Sequence, residues 1–234
     1  MLDNTKRFGR FTSSNIYKLL TLNKAKDGFG VPAQTYIAEK KMELEFGRSI
    51  EKTAGSREME WGKLGESRVF QILGTEYEDM HDTTIQHPKY ECWAGSPDCI
   101  RHSEVKRVAE IKCPFTHKSF YNLVRSFERG GIEEVRNVHD SGENYYWQCV
   151  SNAILSECTN AELIIYMPYQ KELDEIRLES SNFGFPWIGF AVDSDLPYIN
   201  NVGMFKNLNH LEFDIPQSDI DLLTNSVIKA SKLL

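Results

Sequence analysis

No stretch of this 234-residue sequence is apolar enough to cross a bilayer. The longest aliphatic run, Leu163-Ile164-Ile165-Tyr166-Met167, falls far short of the about 20 residues that a spanning helix needs. Nor does an apolar signal-peptide core open the chain, whose first residues are polar and charged. Cysteine is scarce. Cys92, Cys99, Cys113, Cys149 and Cys158 are an odd number without framework spacing, which excludes a disulfide-stapled scaffold and points to a cytoplasmic location. No repeat, low-complexity tract or Pro/Gly/Ser-rich linker divides the sequence, so it reads as a single domain over residues 1–234. What is there is an ordinary globular balance of 41% hydrophobic and 26% charged residues, which excludes disorder and collagen-like repeats.

An excess of positive charge is lacking too. The formal net charge is −7, which alone argues against a nucleic-acid partner. The distribution argues otherwise. Residues 1–30 hold six Lys/Arg against two acids, and residues 101–129 hold seven against three. An acidic chain with two basic islands can engage phosphate at those islands, unless they are ordinary fluctuation.

Hydrophobic spacing then orders the elements. Thr12-Ser13-Ser14-Asn15 before Ile16, Leu19 and Leu20 predicts a capped helix start. Pro32 opens a helix that Gly47 stops, and a further helix covers Arg57 to Leu73 and ends at Gly74. Trp93–Ile100 and Val108–Phe115 predict two strands of a hairpin around a polar turn. Helical periodicity returns at Phe120, Leu123, Val124 and Phe127, and again from Asn144 to Glu157. Ala161–Met167 is a buried strand, Arg177 to Ile215 is strand-like but broken by Gly and Pro, and Ser218 caps a last amphipathic helix. Helices, a mixed sheet and flanking helices make an α/β (α+β) sandwich.

The hairpin carries the chemistry. Glu110 and Lys112 share one face of an otherwise apolar strand while Ile111 points the other way. Unpaired buried charge is costly, so this pair needs an explanation. Asp98, on the neighbouring strand, can approach Glu110. Two converging carboxylates suit a hard divalent cation, with Lys112 placed to orient a water or neutralise a phosphate oxygen. A structural salt bridge on a solvated face is the plain alternative. Glu66 interrupts the apolar stripe of its helix, with Gly62 one turn earlier leaving room, and either makes a buried pair or helps hold the same ions. Gln148 is either part of a solvated face (Asn144, Ser151, Asn152) or an amide aimed at a phosphate oxygen or attacking water. Ser13 and Ser14 at a helix start, with Arg7 and Arg10 nearby, form either a plain N-cap or an anion site.

These residues carry a family likeness. Gly95-Ser96-Pro97-Asp98 followed by Glu110-Ile111-Lys112-Cys113-Pro114-Phe115-Thr116 resembles the core of the PD-(D/E)xK nucleases, and more narrowly the phage lambda exonuclease or YqaJ-like viral recombinase branch. Trp61-Gly62-Lys63 with Glu66, Tyr146-Trp147-Gln148, and Arg7 with Gly9 and Thr12-Ser13-Ser14 resemble further segments of that branch in the same order, from Arg7 to Tyr169. The resemblance implies a restriction-endonuclease-like core, with a central mixed β-sheet flanked by helices. It implies Mg²⁺-dependent (Mn²⁺ substituting) 5′-to-3′ digestion of one strand of duplex DNA from its ends. Asp98 and Glu110 would hold two metal ions with the Ile111 backbone carbonyl. Lys112 would position the water, and Glu66 (directly or through water) and Gln148 would support. Arg7, Ser14 and Ser96 would bind the terminal phosphate. A trimeric ring around DNA and a single-strand annealing partner are implied as well. No family motif falls in Arg177 to Ile215. Nothing follows Cys158 that would hold an iron–sulfur cluster, so none is expected. The competing readings are a structure- or sequence-specific endonuclease of the same superfamily and a non-catalytic DNA-end-binding recombination protein.

Overall fold

The structure, a computed structural model, describes residues 6–50 and 55–234. β1 (Phe11–Thr12) runs directly into the helix expected after it, Ser13–Leu20, but that helix is 3₁₀ and no side chain caps it. The Ser13 hydroxyl turns inward instead and shares a 2.8 Å hydrogen bond with Ser151. α1 (Val31–Phe46) has Pro32 in its first turn and ends on Gly47, left-handed at φ 65°, as glycine readily allows. α2 (Arg57–Ile72) starts where Ser56 accepts from the Met59 amide. It ends on an extended Leu73, without using Gly74 as a left-handed stop.

β2 (Tyr77–Asp79), β3 (Ile85–Gln86), β4 (Trp93–Gly95), β5 (Cys99–Arg101) and β6 (Arg107–Lys112) follow. The stretch expected as one strand from Trp93 to Ile100 is thus two strands in two sheets. β4 pairs parallel with β1 and antiparallel with β3, whereas β5 joins a five-stranded sheet of order β2-β5-β6-β7-β8. Pro97, which has no N–H for a ladder, stands at the switch. The hairpin itself holds: Cys99 pairs with Ala109 and Arg101 with Arg107. β7 (Asn160–Tyr166) lies parallel to β6, and β8 (Leu208–Asp214) antiparallel to β7.

The remaining helices are α3 (His117–Val138, kinked at Gly130-Gly131), α4 (Gly142–Leu155), α5 (Leu173–Ser180), α6 (Pro186–Phe190) and α7 (Gln217–Ser231). Two expectations are corrected here. Arg177 to Ile215 is mostly short helices and loops, with β8 its one long strand, and α7 starts after Pro216, so Ser218 lies inside its first turn.

Alternation along the strands splits the five-stranded sheet into two buried faces. Val108, Leu163, Ile165, Leu211 and Phe213 pack in one core with residues of α3, α4 and α7. Ala109, Ile111, Ile164 and Tyr166 pack on the other side with Val69 of α2. Glu110 therefore faces α4, and its neighbour Ile111 faces α2. All five cysteines are free. Among the described residues no helix is long and apolar enough to cross a membrane.

Candidate active site

A cavity of about 640 Å³ opens at the end of β6 where α2, α4 and the N-terminal segment converge. Its wall includes Glu66, Asp98 and Gln148, together with Arg7, Ser14 and Ser96. α2 reaches this point because Gly65 has no side chain: a Cβ there would lie 2.6 Å from Cys113 Sγ, next to Lys112. Gly62, the glycine expected to leave room, has nothing within 4 Å of such an atom.

Glu110 lies behind the cavity wall, fully buried. Gln148 Nε2 donates to its Oε2 at 2.6 Å, Asn152 donates to its Oε1, and Lys112 Nζ lies 3.2 Å away. The Gln148 amide is thus aimed at a carboxylate and does not belong to a solvated face. Asp98 Oδ2 accepts from the Ile111 amide at 2.7 Å, which continues the β5–β6 ladder through a side chain. Lys112 sits 5.3 Å over the Tyr145 ring, a cation–π contact that secures its position beside Glu110.

The electrostatics follow from burying three acids around one lysine. Burial, then repulsion from Asp98, pushes Glu110 up to about 8 and Glu66 up to about 7. Burial likewise raises Asp98, against the opposing pull of Lys112 and the Ile111 amide. Burial works against the charge of Lys112, but Glu110, Asp98 and Glu66 outweigh it and hold the ammonium above its ordinary value. Among the described residues no three side chains form a ready-made metal cluster. The donor chemistry nonetheless fits a hard divalent cation, because the acids are oxygen donors in surplus over their one partly buried countercharge.

Elsewhere on the same wall, Arg7 Nη1 donates to Ser96 Oγ at 3.5 Å, and Ser96 shares a 3.1 Å hydrogen bond with Thr84. Two expected phosphate ligands are placed differently. Arg10 donates through Nε to the Glu91 carbonyl at 2.8 Å and is not on the cavity wall, because the turn back from Arg7 points it outward. Ser13 touches the wall, but its hydroxyl is bound to Ser151, which also accepts from Trp93 Nε1 at 2.9 Å. The basic hairpin turn is engaged inside the protein: Arg101 and Arg107 pair with Glu212, and Lys106 donates to the Ser156 carbonyl.

Sequence reasoning missed Asn152, although its place one turn after Gln148 was a usable signal. It also missed His81, which lines the cavity with Asp79 holding its Nδ1 at 2.6 Å. His81 arrives because the Met80 amide bonds the Asp98 carbonyl at 2.9 Å, a pairing with no local sequence signature.

A family model described as a YqaJ-like viral recombinase domain matches residues 4–159. No match to the chain is found among curated proteins. Among solved structures, the fold is similar to that of an alkaline exonuclease (LHK-Exo) from Laribacter hongkongensis (16% identity, TM-score 0.57, covering 98% of this chain and 90% of that one). LHK-Exo in complex with dAMP matches similarly (15% identity, TM-score 0.59, 98% and 90%). A phage related exonuclease from Haemophilus somnus 129PT also matches (16% identity, TM-score 0.61, 96% and 92%).

Proposed function

The chain belongs to the YqaJ-like viral recombinase domain family, and from that premise we propose that it is a divalent-metal-dependent deoxyribonuclease that digests one strand of duplex DNA 5′-to-3′ from an end. The observation that carries this reading is the cavity whose wall joins Glu66 and Asp98 to Arg7, Ser14 and Ser96, with the Glu110–Lys112 pair directly behind it and tied to it through Gln148. The acids suit a cation, and Arg7 with the two hydroxyls suits a terminal phosphate. The fold shared with alkaline exonucleases supports it, as does the binding of a nucleoside monophosphate by LHK-Exo.

Asp98 and Glu110 would hold Mg²⁺, or Mn²⁺ in its place, with the Ile111 carbonyl, and Glu66 would assist directly or through water. A pair of such ions, when bound, activates a water and stabilises the leaving oxygen of the phosphodiester. The chain's own groups do the rest. Gln148 and Asn152 fix both oxygens of Glu110. Lys112 stays protonated beside Glu110 and orients the water or neutralises a phosphate oxygen. Arg7 offers a planar fork of donors to the terminal 5′-phosphate, with the Ser14 and Ser96 hydroxyls beside it. Hydrolysis of the next phosphodiester frees a 5′-mononucleotide and leaves a new 5′-phosphate for the same grip.

The chain would act as one domain over residues 1–234, in the cytoplasm of a bacterial or phage-infected cell, as a ring-shaped trimer serving a single-strand annealing protein. The test compares linear with closed circular duplex in the presence of Mg²⁺. Degradation of the linear form alone is expected, and degradation of the circle at the same rate would instead make the protein an endonuclease. Stable binding of ends without hydrolysis in either metal would make it a recombination scaffold.

A further inference from the structure

Glu43 has no place in the chemistry above, yet it is a fully buried acid on the last turn of α1, distant in sequence from every catalytic residue. Four donors surround it. Oε2 accepts from the Gly9 amide at 2.7 Å and from Lys40 Nζ at 3.0 Å, and Oε1 accepts from the Ile50 amide at 3.2 Å and the Ser49 hydroxyl at 3.3 Å. Lys40 is itself only 3% exposed and lies 5.6 Å over the Tyr36 ring. The Tyr36 hydroxyl accepts from the Thr12 amide at 2.8 Å. α1 therefore grips both ends of the segment from Gly9 to Thr12.

That segment is shaped to be gripped. Gly9 is left-handed at φ 68°, and a Cβ on it would lie 2.4 Å from Leu44, the residue after Glu43. The Arg10 amide closes the turn on the Arg7 carbonyl at 3.2 Å. On the far side of that turn the Arg7 guanidinium enters the cavity and reaches Ser96. An apolar side chain at position 43 would seal the contact with α1 about as well, since buried ion pairs are often replaceable by hydrophobic residues without loss of stability. What an apolar side chain lacks is direction, and a neutral amide would turn a donor toward two of these four donors: only a carboxylate accepts on both oxygens and fixes where the Gly9 amide, and with it the turn, must sit.

We propose that Glu43 is a positioning residue for 5′-phosphate recognition, holding the Gly9 amide so that the turn aims Arg7 at Ser96. The inference deepens the reading of Arg7 and Ser96 as the phosphate site and rests on it.

The experiment measures kcat and KM on linear duplexes ending in 5′-phosphate or 5′-hydroxyl. Four proteins are compared: wild type, Arg7→Ala, Glu43→Gln and Arg7→Ala/Glu43→Gln. In wild type a preference for 5′-phosphate is expected, and in Arg7→Ala its loss. Absence of either result overturns the underlying reading and leaves no phosphate grip to position. Glu43→Gln is expected to lower the preference about tenfold, the scale of a hydrogen bond to a charged acceptor, through KM rather than kcat. In the Arg7→Ala background it should lower it no further. If wild type and Arg7→Ala behave as expected but Glu43→Gln keeps the full preference, or lowers kcat equally on both ends, the positioning role is refuted. Lys40→Met/Glu43→Leu guards against simple misfolding. It should melt as a folded protein and still lose the preference, whereas a folded double variant with wild-type preference would also refute the inference.

Discussion

Three acids share one partly buried lysine, and this imbalance decides how the site responds to protons and cations. Glu110 and Glu66 rise from an ordinary 4.5 to about 8 and about 7. Between those limits the folded protein holds protons that the unfolded chain has already released. The stability they contribute is complete below about pH 4.5 and is lost as pH rises through 7 to 8. A divalent cation held by these acids, as proposed, would take the place of those protons. Without metal, in a chelator, the melting temperature should therefore fall between about pH 4.5 and about pH 8 and level off above that, and the gain on adding Mg²⁺ should grow over the same range. An Mg²⁺ gain that does not change with pH would show that these acids do not hold the ion. At the same scale, Asp98→Ala and Lys112→Ala should each abolish hydrolysis while a gel-shift assay still shows DNA binding. Gln148→Ala, which only orients Glu110, should lower activity by about 10- to 100-fold. Wild-type rates in both Asp98→Ala and Lys112→Ala would place the chemistry elsewhere.

Elements position these residues by close approach, and Gly65 is where that is tightest. A methyl group there must push α2 away from Cys113, taking Glu66 with it. Gly65→Ala should cost about 1–3 kcal/mol in urea denaturation, as overpacking does, and Cys113→Ala in the same protein should restore part of the loss. The elements themselves were legible where local chemistry decides them. Pro32 and Gly47 bound α1 as expected, Ser56 opens α2, and the Cys99–Ala109 pairing confirms the hairpin. They were not legible where tertiary context decides. Trp93–Gly95 has the composition of a strand continuing to Ile100, but its partners are β1 and β3, and no local pattern names a partner. The stretch from Arg177 contains the breakers that the sequence shows, yet it begins inside α5, where Leu173, Ile176 and Ser180 recur at helical spacing and bury one face. In the site, Glu110, Lys112 and Glu66 were visible as charges out of place in apolar patterns, Asp98 through its approach to Glu110 across the hairpin, and Gln148 only as one of two readings of a polar stripe. Asn152, one turn after Gln148, shared its signal and was passed over as part of the same polar stripe, whereas His81 had none and becomes notable only through the Met80–Asp98 pairing that brings it to the cavity.

Across the whole molecule, a net charge of −7 must be reconciled with a polyanionic substrate. The two basic islands do not contribute equally. Arg101 pairs with Glu212 at 2.6 Å and with the fully buried Glu162 at 3.5 Å, so this part of the second island stabilises the edge of the five-stranded sheet. On the proposed function, attraction for DNA would then be local to the cavity, where Arg7 enters and Lys63 stands exposed on the wall. Salt dependence separates the two roles, because each phosphate neutralised by a cation adds about one to the slope of log affinity against log salt. Lys63→Ala should weaken DNA binding and reduce that slope by about one, with little change in melting temperature. Arg101→Ala should leave the slope unchanged and instead cost about 1–3 kcal/mol of stability, since it strips Glu162 of its guanidinium while Tyr77 and His210 remain. If Arg101→Ala reduced the slope as Lys63→Ala does, the hairpin would have to lie on the duplex, and its pairing with Glu212 would be one that DNA displaces.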